Sequence, residues 1–162
     1  PWEAKEEFPQ FFTKQRNRCD SLTLVANSIG AFFSMSSLDK SLVDEAFFIS
    51  PVVNMENLIG NMMMWANVTE QELKRNLEIP TEFGETLSWN YLTYVQEHPL
   101  SWSIPTRILY GEHDNLTSLE TMTAFAKQVS AKLTVMPGGE HWFHTEEQMR
   151  FLDDWIMKSY SE

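Results

Sequence analysis

Cysteine is almost missing from this chain of 162 residues: Cys19 stands alone, so no disulfide can form within it. A lone thiol fits a reducing compartment, and a cytoplasmic location is the expectation. Cys19 itself lies among polar residues just before an apolar run and reads as structural. Positive charge is also scarce. Twelve Lys and Arg stand against 23 Asp and Glu, a net charge of −11, and no basic stripe exists. Such a field repels phosphate, which disfavours nucleic acid and anionic membranes as partners. No apolar run approaches the ~20 residues of a membrane span. No His-x-x-x-His pair and no cysteine cluster is present, so no metal site and no cofactor are expected. The start, Pro1 to Glu7, is acidic, lacks a signal-peptide pattern and does not begin with Met. The expectation is that this numbering begins inside a longer natural sequence.

Apolar residues, by contrast, make up 43% of the chain, aromatics 13%, and there are nine Met. That is enough for one domain with a sizeable core and a lined pocket. Residues 3–18 mix charge with Phe8, Phe11 and Phe12 and read as an amphipathic helix interrupted or started by Pro9. Four short apolar runs read as strands: Leu22–Ala26, Ala46–Ile49, Ile104–Tyr110 and Lys132–Met136. Helical patterns lie at 31–38, at 118–130 and from Thr145 onward, where Thr145-Glu146-Glu147-Gln148 has the form of a capping box. Strands alternating with helices argue for an α/β fold with a mostly parallel sheet flanked by helices. Residues 55–104 break the alternation and read as a helical insertion without a strand. The whole is then a single domain over 1–162, with a core of 1–54 and 105–162 and a helical lid of 55–104.

Three segments could carry chemistry. Ala26-Asn27-Ser28-Ile29-Gly30 joins a strand to a helix, the context of a nucleophile elbow. A sharp turn there lifts a serine hydroxyl clear of the sheet, and the small Ala26 and Gly30 would let strand and helix pack closely around it. The Ile29 N–H, at a helix start, could donate to a developing oxyanion. Ser28 could equally be a plain helix cap. Asp114 follows the third strand at the sheet's carboxyl edge, where α/β sites form; it could also shape a turn, and Glu112 is a competing acid. His141 lies on the Gly-rich loop Pro137-Gly138-Gly139-Glu140 after the fourth strand, with His144 as a nearby rival.

Nucleophile, acid and base, each after its own strand, follow the order of the α/β-hydrolases. Over nearly its whole length the chain resembles that superfamily, down to Gly-Glu-His-Asp at 111–114 and Gly-Gly-Glu-His-Trp-Phe at 138–143. Ala26 departs from the family's usual glycine. The resemblance implies a serine hydrolase with Ser28 as nucleophile, His141 as base, Asp114 as its partner and Ile29 as an oxyanion donor. Trp65, Met63, Trp89 and Trp142 would contact substrate. Cleavage of a carboxylic ester of a small molecule through an acyl-enzyme leads, in a carboxylesterase-like enzyme. Thioester or lactone hydrolysis and a non-catalytic binding role are the alternatives. The family also has strands before the elbow strand, and these are absent here. The elbow strand would then expose an edge, to be covered by a second copy of the chain or by a preceding segment.

Overall fold

The computed structural model describes residues 1–161. In chain order its elements are α1 (Trp2–Arg16), β1 (Thr23–Asn27), α2 (Ser28–Ser37), β2 (Glu45–Ile49), α3 (Met55–Trp65), α4 (Glu70–Asn76), β3 (Glu78–Pro80), β4 (Thr86–Ser88), α5 (Trp89–Glu97), β5 (Thr106–His113), α6 (Leu119–Gln128), β6 (Lys132–Glu140) and α7 (Glu146–Ser161). They fall into two compact units, one of Pro1–Val53 with Ser101–Glu162 and the other of Asn54–Leu100.

The first unit is built on a parallel sheet in the order β1-β2-β5-β6. The apolar runs of the two central strands, β2 and β5, are buried on both faces, as parallel strands between helices must be. Alternation sends Phe47, Ile49, Leu109 and Met136 to a cluster closed by Trp155, with Phe151, Leu152 and Ile156 of α7 packed against it. The intervening Phe48, Ile108 and Tyr110 are equally buried. Because the strands are parallel, all four carboxyl ends lie along one edge. β6 ends the sheet on one side. On the other side β1 pairs with β2 alone among the described residues.

Two strands run further than their sequence suggested. β5 continues through Gly111, Glu112 and His113, and β6 through Pro137 to Glu140. Pro137 is tolerated because β6 is an edge strand, where a missing N–H breaks no ladder. The register slips between Gly111 and His113, which pairs with Glu140. The capping box expected at 145–148 is also modified. The Gln148 N–H donates to Thr145 Oγ1, but the Gln148 side chain accepts from the His144 N–H rather than from Thr145. Cys19 is exposed, with its Sγ 3.2 Å from the Gln15 carbonyl.

The second unit is helical with one correction. Glu78–Pro80 and Thr86–Ser88 form an antiparallel pair around a tight turn in which Gly84 has φ +93° and the Thr81 N–H donates to Glu85 O. Strands of three residues, one holding Pro80, are too short to show a period of two in sequence. Thr69 and Glu72 make a full capping box at the start of α4. The unit ends at Leu100 rather than 104. Residues 101–105 belong to the first unit because Trp102 and Ile104 are buried in it. The Trp102 ring lies 5.5 Å from that of Phe48, and its Nε1–H donates to Thr106 Oγ1 at 2.7 Å.

Candidate active site

Ser28 is the first residue after β1 and takes left-handed backbone, φ +48°. For a residue with a Cβ this costs about 1–3 kcal/mol and needs outside support. Support comes from β2's side, where the Val52 N–H donates to Ser28 O at 3.1 Å. The turn carries Ser28 Oγ to 2.9 Å from His141 Nε2. Ile29 lies in the first turn of α2, where helix geometry gives its N–H no intrahelical acceptor. Gly30 is not explained by close strand–helix packing, as its sequence position suggested: a Cβ built there meets nothing within 4 Å.

Asp114 has no solvent-exposed side-chain surface, and each of its oxygens has its own task. Oδ1 accepts the N–H groups of Leu116 and Thr117 at 2.8 and 3.0 Å, which shapes the turn after β5. Oδ2 lies 2.8 Å from His141 Nδ1. The turn-forming reading and the charge-partner reading of this residue are therefore both satisfied. An ionised carboxylate only accepts, so Nδ1 carries the proton and Nε2 presents its lone pair to the Ser28 hydroxyl. His141 is 3% exposed. Burial, and then the charge on Asp114, pushes the Tyr110 phenol above its ordinary value; its O–H donates to Thr117 O at 2.7 Å.

A contact that sequence reading missed sets this geometry. A Cβ on Gly111 would lie 2.5 Å from Glu140 O and 2.7 Å from the carbonyl of Gly139. β5 and β6 therefore touch backbone to backbone where the register slips, and the Asp114 turn meets the His141 loop. The available signal was a glycine on each of the two segments, just before the acid and the histidine.

The rivals go elsewhere. Glu112 Oε2 accepts the Gly138 N–H at 2.8 Å. His144 is exposed, and its Nδ1–H donates to Trp142 O at 2.7 Å. Of the four expected substrate contacts, Trp142 stands edge-on to His141 with ring centroids 5.4 Å apart and is 64% exposed. Within the second unit, Met63 is buried, Trp65 meets Phe83 edge-on at 6.2 Å, and Lys74 lies over Trp89. Among the described residues no three His, Cys, Asp or Glu side chains gather as a metal site, and no helix is long and apolar enough to cross a membrane.

Beside the elbow, a cleft of about 560 Å³ opens along β1. Its walls are Phe8, Phe11 and Phe12 of α1 and Val25, Ile29 and Gly30 of the strand and elbow. Gly30 is unobstructed because it faces this space.

No protein-family model and no curated protein sequence matches the chain. Solved structures do. Est1E from Butyrivibrio proteoclasticus superposes with a TM-score of 0.68 at 17% identity, over 93% of this chain and 67% of its own. The alpha/beta hydrolase domain-containing protein 10 from mouse gives 0.64 at 16%, over 86% and 64%. An alpha-beta serine hydrolase homologue from Coxiella burnetii gives 0.60 at 18%, over 96% and 57%. The chain thus spans about two thirds of the first structure and less of the other two. Its fold is that of the α/β-hydrolases, carried by part of their usual sheet.

Proposed function

We propose that the protein is a serine hydrolase that cleaves carboxylic esters of small molecules through an acyl-enzyme. The observation that carries this is the continuous hydrogen-bonded line from Ser28 Oγ to His141 Nε2 and from His141 Nδ1 to Asp114 Oδ2, at 2.9 and 2.8 Å. The fold supports it, since a marine microorganism esterase is among the structures the chain resembles.

The steps follow from these atoms. Ser28 Oγ attacks the ester carbonyl carbon while its proton passes to His141 Nε2. Asp114, held by its backbone donors, stabilises the imidazolium without taking the proton. The carbonyl electrons move onto oxygen, and the Ile29 N–H donates to that oxyanion. As the intermediate collapses, the C–O bond to the alcohol breaks and Nε2 returns its proton to the leaving oxygen. Water then attacks the acyl-Ser28 ester, giving a proton to Nε2. Collapse releases the acid, and Nε2 reprotonates Ser28.

One oxyanion donor is fewer than such sites ordinarily use, and its partner comes from a loop after an earlier strand. The proposed source is a strand laid along the open edge of β1, from a preceding segment or from a second copy of this chain. The cleft walled by Phe8, Phe11, Val25 and Ile29 would be filled by it. Such an edge, with its unpaired N–H and C=O groups, is a ready template for a strand. The Trp142 face is proposed to contact the substrate beside His141.

The test is turnover of p-nitrophenyl acetate and butyrate by the chain and by Ser28→Ala. Hydrolysis that disappears in Ser28→Ala supports the reading. Hydrolysis that survives the substitution removes Ser28 from the reaction.

A further inference from the structure

Ser50 combines two costs at one residue. It is the first residue after β2 and is 1% exposed, and its Oγ has no hydrogen-bond partner. Its backbone is left-handed, φ +42°, although it precedes Pro51, a position that normally drives a residue to extended backbone. A buried hydroxyl without a partner and a left-handed residue with a Cβ are each unfavourable. An alanine would remove the first, and a glycine would remove both.

Its place in the sheet is specific. Ile49 is in register with Asn27 on one side and Leu109 on the other. Ser50 is therefore the first residue past a register whose last members, Asn27 and Leu109, directly precede Ser28 and Tyr110. The Ser50 N–H donates to Leu109 O at 2.8 Å, and two residues later the Val52 N–H holds the strained Ser28 carbonyl. Ser50 through Val53 are all buried. The central strand thus ends between the strand that carries Ser28 and the strand that leads to Asp114. It ends on a polar side chain that the resting fold leaves unused.

We propose that Ser50 is a positioning residue for the Ser28 site, its buried hydroxyl reserved for the charge that appears along this edge during reaction. A hydroxyl can turn to donate or accept without moving its heavy atoms. One that is unpaired at rest and paired when Ser28 reacts gives an interaction present only in the transition state, which raises turnover rather than binding. The inference rests on the reading of Ser28 as nucleophile.

Ser50→Ala and Ser50→Gly, made in the full chain, test it. Three readouts are taken: kcat and KM on p-nitrophenyl acetate, the rate of fluorophosphonate modification of Ser28, and Tm. The expectation is a roughly tenfold loss in kcat and in modification rate for both variants, with KM unchanged. Tm should hold or rise, by ~2–4 °C in Ser50→Ala, because an unpaired buried hydroxyl has gone. Wild-type rates in Ser50→Ala would overturn the proposal and leave Ser28 standing. A lower rate that follows a fall in Tm would also overturn it, since the residue would then be structural. A Ser28→Ala protein modified as fast as wild type, or a wild type left unmodified, would overturn the reading of Ser28 and the proposal with it.

Discussion

Gly111 and Gly139 meet backbone to backbone across β5 and β6, so closely that neither strand has room for a Cβ on Gly111. Asp114 follows three residues after the first glycine and His141 two after the second. The 2.8 Å contact between those side chains therefore depends on two residues that have no side chain to contribute.

Gly111→Ala should consequently damage stability and site together. The obstructing atoms are backbone, which cannot swing away as a flexible side chain could. Overpacking of this kind costs about 1–3 kcal/mol. Thermal unfolding should show the loss, and fluorophosphonate modification of Ser28 should slow with it. Gly30→Ala, which meets open space in this chain, should leave Tm nearly unchanged.

Asp114 has two duties that substitution can separate. Asp114→Asn retains an oxygen for the Leu116 and Thr117 N–H groups but loses the charge that fixes the His141 tautomer. Turnover should fall about 10³–10⁴-fold with little change in Tm. Asp114→Ala should lose the turn as well, and its Tm should drop further. Denaturation of the two variants side by side checks the difference.

Arg16 of α1 pairs with Asp44, just before β2, and Asp44 also accepts the Leu22 N–H. The Arg16 hydrogen bond and then the Leu22 N–H hold the Asp44 carboxyl below its ordinary value. Its folded-state value is thus depressed. The stabilisation is fully present above the ordinary carboxylate range and is lost as pH falls through the lowered value. The Tm of Asp44→Asn should lie below wild type at pH 7, and the gap should close as the pH is taken below 3.8, the unshifted value. A gap that does not narrow at all as the pH is taken from 7 to below 3.8 would contradict this. High salt should narrow the gap at pH 7, because the pair is solvent-accessible.

The open edge of β1 makes its own prediction. Sedimentation of the isolated chain should show association driven by the Phe8, Phe11, Val25 and Ile29 surface, and Val25→Lys should weaken it by charging the edge. A strand-bearing segment supplied to cover that edge should abolish association and raise turnover by about 10²–10³ through a second oxyanion donor. A monomer indifferent to Val25→Lys and to that segment would contradict the proposal.

The parallel sheet was legible because its strands are apolar runs such as Ala46–Ile49, and the order of Ser28, Asp114 and His141 was legible because each follows such a run. The β3–β4 pair was not, since three-residue strands carry no periodicity. The ends of β5 and β6 were hidden by Gly111, Pro137 and Gly138, which signal a turn locally but are tolerated in a bulged edge pair. Ser50 was not legible, because neither its left-handed backbone nor its unpaired hydroxyl leaves a mark in composition. In sequence Glu112 competes with Asp114, which the α/β-hydrolase resemblance favours. The structure separates them by partner, with Glu112 on the Gly138 N–H and Asp114 on His141.

The most direct measurement is the site of fluorophosphonate attachment. The chain and its His141→Ala variant are treated at pH 7, digested, and mapped by mass spectrometry over time. The account predicts a single adduct on Ser28 in wild type, formed about 10³-fold or more slowly once His141 is removed. An adduct on another residue, no adduct, or equal rates in the two proteins would contradict it.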